Sequence, residues 1–296
     1  MALLTEPLLL APALVPKPWG GAGLGAGIGE AWDLSTHPAG PSVVASGPHR
    51  GRTLAELVAE APDDVGGPVQ LLAKRLDCAG PLSVQVHPAE GPDTGAGHAK
   101  TEAWVVLGAA PGAGVWLGVA APTEAATLAA AALDGTLPEL LQFVELTVGQ
   151  AVFVPAGTIH AIGGGLALFE LQQSSDITYR LFDWGREGRE LHLEAGLACA
   201  TLTPTPTPTP GLPRAPSSDP VRLVACDHFV IDRCPPTAAT PLDPGGSWVA
   251  VHVVAGTAHL GSLALAAGST ALVPRAAGPA RLEPGPGFDG LRYGPP

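Results

Sequence analysis

The chain has 296 residues, a length that suits two ordinary domains and allows a sizeable core. Its 39 glycines and 33 prolines make up about a quarter of the sequence, but 46% of the residues are hydrophobic and only 14% are charged, which excludes a wholly disordered chain. The formal net charge of −12 disfavours an extended nucleic-acid surface, whereas a small anionic ligand needs only a few well-placed cations.

The secondary structure predicted from the sequence consists of many short strands, because glycine and proline are the poorest helix formers. Two short helices are expected, at Thr53–Ala61 after a threonine cap and at Thr123–Gly135, with one more turn in the LPELLQF run that follows. The predicted strands are apolar runs bounded by turn residues, and in chain order they are Leu82–His87, Glu102–Gly108, Gly114–Ala120, Phe143–Val148, Ala151–Gly157 and Leu166–Gln173.

A repeat of alternating threonine and proline marks the expected domain boundary at residues 201–216. Proline lacks an amide donor and biases its predecessor toward extended geometry, so this linker is expected to be a semi-rigid polyproline-like segment. Residues 1–200, with N-terminal strands and short helices, form the first predicted domain, and residues 217–296 form a second β domain. The predicted fold class is all-β, with each domain a sandwich or barrel.

The cysteines and the N-terminal segment favour a soluble, cytoplasmic protein. The four cysteines contain no C-x-x-C pair, so free thiols are expected in a chain of this length. The first residues lack a basic n-region and carry Glu6, unlike a secretory signal peptide. No apolar run approaches the roughly 18 residues of a membrane helix, so no membrane association is expected.

Histidines near strand ends provide the candidate chemistry. Gln85 and His87 are two residues apart on a predicted strand, so their side chains leave the same face. His160 follows a Pro-Ala-Gly turn, and Glu102 opens another strand two residues after Lys100. Two imidazoles, a carboxylate and an amide oxygen suit zinc or another divalent ion, with room for water or substrate. His252 and His259 are expected to be structural.

The order and spacing of several motifs resemble the type I phosphomannose isomerases, particularly their short bacterial form, over nearly all of the first 200 residues. These motifs are PKPWGG from Pro16, IGEAWDLSTHPAGPSVVASGPHRGRTLAEL from Ile28, LSVQVHP from Leu82, KTEAWVVL from Lys100, VFVPAGTIHAIGGGL from Val152 and ELQQSSDITYRLFDWGR from Glu170. The resemblance implies a cupin, an antiparallel β-barrel whose mouth holds a divalent metal, and hence two cupin-like domains of which the C-terminal one is degenerate.

The resemblance also implies roles for individual residues. The implied metal ligands are Gln85, His87, Glu102 and His160, with zinc as the expected ion. The implied substrate-pocket residues are Lys100, Glu170, Asp176, Arg180 and Arg186. Lysine and arginine suit a phosphate as a mobile point charge and a planar fork. Lys100 and Glu170 are the leading candidates for proton transfer, Arg180 for the enediolate or the phosphate, and Arg186 for the phosphate.

The implied reaction is the interconversion of mannose 6-phosphate and fructose 6-phosphate through an enediol. The expected partner is a small sugar phosphate, and the expected assembly is a monomer or small homo-oligomer. Three alternatives stay open: a metal cupin acting on another sugar phosphate, an iron-dependent oxygenase with the same ligand set, and a non-catalytic regulatory cupin that binds a sugar phosphate.

Overall fold

The computed structural model describes residues 2–90, 99–204 and 219–296 and is dominated by β-strands. The prediction of a mostly β protein with a few short helices is confirmed. The strands are β1 (Leu8–Ala11), β2 (Ala13–Gly21), β3 (Ile28–Leu34), β4 (Val43–Val44), β5 (Leu71–Cys78), β6 (Val84–Val86), β7 (Glu102–Ala109), β8 (Gly114–Val119), β9 (Leu141–Glu145), β10 (Ala151–Val154), β11 (His160–Ile162), β12 (Leu166–Gln173), β13 (Tyr179–Phe182), β14 (Val221–Ala225), β15 (Val230–Arg233), β16 (Thr240–Leu242), β17 (Val249–Ala255), β18 (Thr257–Leu260), β19 (Leu263–Ala266), β20 (Thr270–Val273), β21 (Ala280–Pro284) and β22 (Asp289–Gly294).

The helices are short, and two of the four lie where the sequence predicted them. They are α1 (Leu54–Glu60), α2 (Pro62–Val65), α3 (Ala125–Asp134) and α4 (Leu193–Cys199), with 3₁₀ turns at Leu137–Leu140 and Arg275–Ala277. Thr53 caps α1 in a capping box, in which its hydroxyl accepts from the Glu56 amide and the Glu56 carboxylate accepts from the Thr53 amide. Gly135 ends α3 in the left-handed conformation that glycine tolerates.

The described residues divide into two compact units. One unit contains the described residues of 1–14, 32–74 and 212–296, and the other contains those of 15–31 and 75–211. The predicted boundaries at residues 200 and 217 stay a prediction, and most of the threonine-proline linker lies outside the described residues. Among the described residues, no helix combines the length and apolar character needed to cross a bilayer.

The first unit contains a seven-stranded sheet of order β14-β15-β22-β17-β20-β1-β4 and a four-stranded sheet of order β16-β21-β18-β19. Strand β1 joins this unit by pairing Leu8 with Leu272 of β20. His252 on β17 is buried, with Nδ1 2.8 Å from the Thr270 hydroxyl and 3.8 Å from the Asp33 carboxylate. These contacts fit the structural role expected for His252.

The second unit carries the candidate site, with Gln85 and His160 on a five-stranded sheet of order β13-β6-β11-β8-β9. Most of a six-stranded sheet of order β10-β7-β12-β5-β2-β3 also belongs to this unit. Its core includes one apolar cluster around Trp104, Leu117 and Leu168 and another around Val86, Leu128 and Leu137. Burial of these side chains supplies the main free energy that holds the strands in register.

The four cysteines are free thiols, as expected. Burial raises the pKa of the Cys78 thiol well above its ordinary value, and burial raises the pKa of Cys234 to about 12. Both thiols are therefore neutral at physiological pH and behave as small apolar groups.

Candidate metal centre and active site

Neighbouring strands of the five-stranded sheet bring Gln85 and His160 together. Gln85 lies in the middle of β6, and His160 opens β11 directly opposite it in the antiparallel register. Side chains of directly opposed residues lie on the same face of a sheet, about 4.5–5.5 Å apart at Cβ. His87 comes two residues after Gln85 and therefore faces the same side.

Three ligand atoms from His87, Glu102 and His160 lie within 4.8 Å of one another. One carboxylate oxygen of Glu102 is 3.3 Å from Nε2 of His160, and the other is 3.6 Å from Nε2 of His87. All three side chains are about 1% exposed. The structure thus brings together three of the four predicted metal ligands, although they lie far apart in the sequence.

The backbone fixes which nitrogen of each imidazole carries the proton. Nδ1 of His87 is 2.8 Å from the carbonyl oxygen of Ile177, and Nδ1 of His160 is 2.9 Å from the carbonyl oxygen of Thr158. A carbonyl oxygen only accepts, so each Nδ1–H donates. In the neutral rings, Nε2 then keeps its lone pair toward Glu102, which is the arrangement that metal-binding histidines use.

The electrostatics of His160 favour the neutral ring that a metal requires. Complete burial lowers the pKa of His160, and this effect outweighs the opposing attraction of Glu102. A neutral imidazole binds a metal without first losing a proton.

Gln85 lies at the edge of the triad. Its amide nitrogen is 3.2 Å from Nε2 of His160, and its amide oxygen accepts from the Ser83 hydroxyl at 3.3 Å. The predicted ligand atom is the oxygen, which a half-turn of the amide brings to the same point. Gln85 therefore lies where a ligand is expected, and its coordination stays a prediction.

Lys100 places a cation against the same group of atoms. Its buried ammonium is 2.8 Å from the Glu102 carboxylate and 3.1 Å from Nε2 of His87, to which it donates. A buried ammonium requires such partners, because removing it from water costs several kcal/mol. The predicted proximity of Lys100 to the metal ligands is thus present in the structure.

Glu170 is held on the strand next to Glu102. Glu170 on β12 pairs with Trp104 on β7, and the Trp104 indole N–H donates to its carboxylate at 3.0 Å. Glu170 is only 4% exposed, so its carboxylate is both oriented and shielded from water. The prediction from the sequence missed the contribution of Trp104, although the i, i+2 spacing from Glu102 places both side chains on the same face of β7.

The remaining predicted residues lie on β13 and its flanking loops. Arg180 on β13 pairs with Gln85, so Arg180, Gln85 and His160 form one row across three strands. Asp176 is exposed in the segment before β13. Arg186 follows β13 and forms an ion pair with Asp183 at 2.6 Å. The substrate contacts of these residues stay predictions.

The donor set fits a divalent metal. Two imidazole nitrogens and one carboxylate match the ligands of zinc and similar borderline ions, and three protein ligands are typical of catalytic sites. Among the described parts of the chain, this is the one group of three or more such side chains close enough to share an ion.

Comparisons with known proteins identify the family of this chain. Residues 25–104 match the family model described as phosphomannose isomerase type I, catalytic domain. A mannose-6-phosphate isomerase of Streptococcus mutans is 33% identical over 295 residues, which cover 92% of this chain and 93% of that protein. The chain belongs to the mannose-6-phosphate isomerase family.

Other members of the mannose-6-phosphate isomerase family support the same assignment. Mannose-6-phosphate isomerase ManA of Bacillus subtilis is 37% identical over 218 residues, covering 65% of this chain and 67% of that protein. A crystal structure of the mannose 6-phosphate isomerase from Bacillus subtilis superposes with a TM-score of 0.86 at 26% identity, covering 98% of this chain and 99% of that one. The resemblance noted in the motifs is confirmed, and the family is one of enzymes.

Proposed function

We propose that this protein interconverts mannose 6-phosphate and fructose 6-phosphate through an enediol intermediate. The observation that supports this most directly is the convergence of His87, Glu102 and His160 beside Lys100, within a chain of the isomerase family. The reaction moves one proton between adjacent carbons, so it needs a base, an oriented substrate and stabilisation of developing negative charge.

His87, Glu102 and His160 would hold the metal, with Gln85 as the proposed fourth ligand. We propose zinc as the ion, since the donors are imidazole nitrogen and carboxylate oxygen. A divalent ion supplies a Lewis acid for the substrate oxygens without redox chemistry. The tautomers set by the Ile177 and Thr158 carbonyls keep both Nε2 atoms ready as ligands.

Glu170 and Lys100 are the proposed proton-transfer residues. The Trp104 indole orients the buried Glu170 carboxylate, so that it can hold or release a proton at a fixed position. The Lys100 ammonium lies against Glu102 and can donate to an oxygen of the substrate. Their fixed placement would reduce the entropy lost in reaching the transition state.

Arg180 and Asp176 are proposed to contact the sugar phosphate. Arg186, which the motifs also implied for the phosphate, already donates to the Pro81 carbonyl and the Asp183 carboxylate. Arg180 faces the row that contains Gln85 and His160, which suits an enediolate or phosphate oxygen. The proposed partner is the small-molecule substrate, with no nucleic acid or membrane. The cytoplasmic location and the monomeric or small homo-oligomeric state stay predictions.

A coupled assay with mannose 6-phosphate, run with and without a chelator, tests the function. We expect turnover that the chelator abolishes and added zinc restores. We expect His87→Ala and His160→Ala to lose bound metal and activity together, whereas His259→Ala, an exposed change on β18, keeps both. Full activity of a metal-free His160→Ala protein would contradict the proposal. Absence of turnover would favour a binding protein, and iron-dependent oxygen consumption would favour an oxygenase.

A further inference from the structure

Two arginines contact one buried carboxylate, and a third arginine lies nearby, just after the row of Arg180, Gln85 and His160. Asp183 is 4% exposed and accepts from Arg186 at 2.6 Å and from Arg189 at 3.0 and 3.1 Å. Arg180 is close enough to this group for Arg189, Asp183 and Arg186 all to influence its charge. Two guanidinium groups bound to one carboxylate, with a third nearby, leave an excess of positive charge in an otherwise acidic chain.

The donors of Arg186 are committed to the protein. Its Nε donates to the Asp183 carbonyl at 3.2 Å, Nη1 donates to the Pro81 carbonyl at 2.9 Å and Nη2 donates to the Asp183 carboxylate. A ligand that bound Arg186 would have to break hydrogen bonds that hold the segment after β13 in place. Arg186 is therefore suited to positioning its neighbours.

Arg189 is placed differently on the same carboxylate. Only Nη1 is engaged, by both oxygens of Asp183, and Nε and Nη2 have no acceptor among the described residues. Its side chain is 31% exposed, so an anion can reach it. A guanidinium anchored through one nitrogen keeps its other edge available for a bidentate contact with a phosphate.

Arg180 offers a second set of donors. Its Nη1 donates to the Glu190 carbonyl at 2.7 Å, whereas its Nε is buried with no hydrogen-bond partner within the described ranges. A buried charged donor without an acceptor is costly, and an anionic ligand would remove that cost. Burial, followed by repulsion from Arg189, lowers the pKa of Arg180, and the opposing attraction of Asp183 does not offset these effects.

Acidic neighbours do not cancel this charge. Glu187 and Glu190 are exposed and form no ion pair with the three arginines in the part of the chain that the structure describes. Within residues 2–90, 99–204 and 219–296, Asp183 is thus the one carboxylate paired with these arginines, and Arg186 and Arg189 already share it.

We propose that Arg189, together with Arg180, binds the phosphate of the substrate, and that Asp183 and Arg186 hold Arg189 in position. This inference rests on the proposed function for the identity of the substrate, and it assigns the phosphate contact to a residue that the motif comparison did not indicate. A phosphate there accepts from the open edge of Arg189 and from Arg180, beside the row that leads to His160.

Inorganic phosphate is the probe for this site, because it reports on anion binding without turnover. Its dissociation constant is measured by calorimetry for the unaltered protein, for Arg189→Gln and for Arg189→Lys. Loss of a charged bidentate contact predicts a dissociation constant about 10- to 100-fold higher for Arg189→Gln. Arg189→Lys, which keeps the charge without the planar fork, is expected to fall between the two and guards against a misfolded glutamine variant.

Arg222→Gln is the matched control, because Arg222 shares the buried Asp232 carboxylate with Arg292 just as Arg189 shares Asp183 with Arg186. This control should bind phosphate like the unaltered protein. Equal phosphate binding by the Arg189 variants and the unaltered protein overturns the inference, as does an unaltered protein that binds no phosphate. Turnover of mannose 6-phosphate by the unaltered protein is measured separately, so failure of the proposed function is distinguished from failure of the Arg189 assignment.

Discussion

Replacing Glu102 by glutamine removes one charge from the centre of the proposed metal site while keeping the shape of the side chain. The carboxylate lies 2.8 Å from the Lys100 ammonium, and both side chains are buried. At an effective dielectric constant of about 20, that separation corresponds to a direct attraction of roughly 6 kcal/mol. Breaking a buried pair by neutralising one partner typically costs about 3–5 kcal/mol, because the other charge is left without compensation.

The metal-free Glu102→Gln protein should therefore unfold at a temperature roughly 5–15 °C lower than the unaltered protein. The same change leaves two neutral imidazoles where the proposed site had an anionic ligand. Even residues that only support metal ligands alter affinity by about 10- to 100-fold, so loss of a ligand should exceed that range. Isomerase activity should fall together with metal content.

The assay combines thermal unfolding in the presence of chelator with metal analysis by emission spectrometry after dialysis. Glu283→Gln provides the control, because Glu283 is 56% exposed and pairs with Arg281 at the surface, where ion pairs contribute at most about 1 kcal/mol. If Glu102→Gln kept both its metal and its unfolding temperature, neither the buried pair nor the ligand assignment could stand.

Two further predictions concern stability. Thr53→Ala removes the hydroxyl of the capping box on α1 and should cost about 1 kcal/mol, measured by denaturant unfolding; an unchanged midpoint would show that the cap contributes nothing. The pKa of Cys234 is raised to about 12 by burial, so its stabilisation is complete below the ordinary thiol pKa and is lost as the pH rises toward 12. Stability should fall by up to about 1.4 kcal/mol per pH unit between roughly pH 9 and 12, and Cys234→Ala should reduce that slope.

Local signals in the sequence predicted those elements that depend on neighbouring residues. Thr53 and Gly135 marked helix ends because capping involves only residues within one turn. The strand from Leu166 to Gln173 has the predicted bounds, whereas β9 begins at Leu141 instead of the predicted Phe143, directly after the 3₁₀ turn. Boundaries of this kind depend on pairing partners, which a single segment does not encode.

Long-range pairing was the part that the sequence did not reveal. Nothing local indicated that Leu8 would pair with Leu272, or that Asp33 would lie near His252. The strand β1 is too short to show a distinctive period, and antiparallel pairing across such a separation depends on the whole fold.

The sequence predicted the metal-ligand residues of the candidate site but not the hydrogen bonds of its arginines. Residue types and motif order indicated His87, Glu102 and His160, and the structure brings them within ligand distance of one another. The engagement of Arg186 and the open donors of Arg189 were not predictable, because they depend on how the chain turns around Asp183. Arg186 and Arg189 thus have the same side chain but different roles, because the backbone places them differently around Asp183.

His87 and His160 donate to main-chain carbonyl oxygens, so the tautomers of both rings tolerate side-chain substitutions at the acceptor residues. Every amino acid has a main-chain carbonyl, so replacing the side chain of Thr158 or Ile177 cannot delete either acceptor. A carboxylate in the same supporting role could be lost through a single codon change. The backbone path therefore determines which ring nitrogen carries the proton. A mutation would have to move the main chain at Thr158 or Ile177 to change that tautomer.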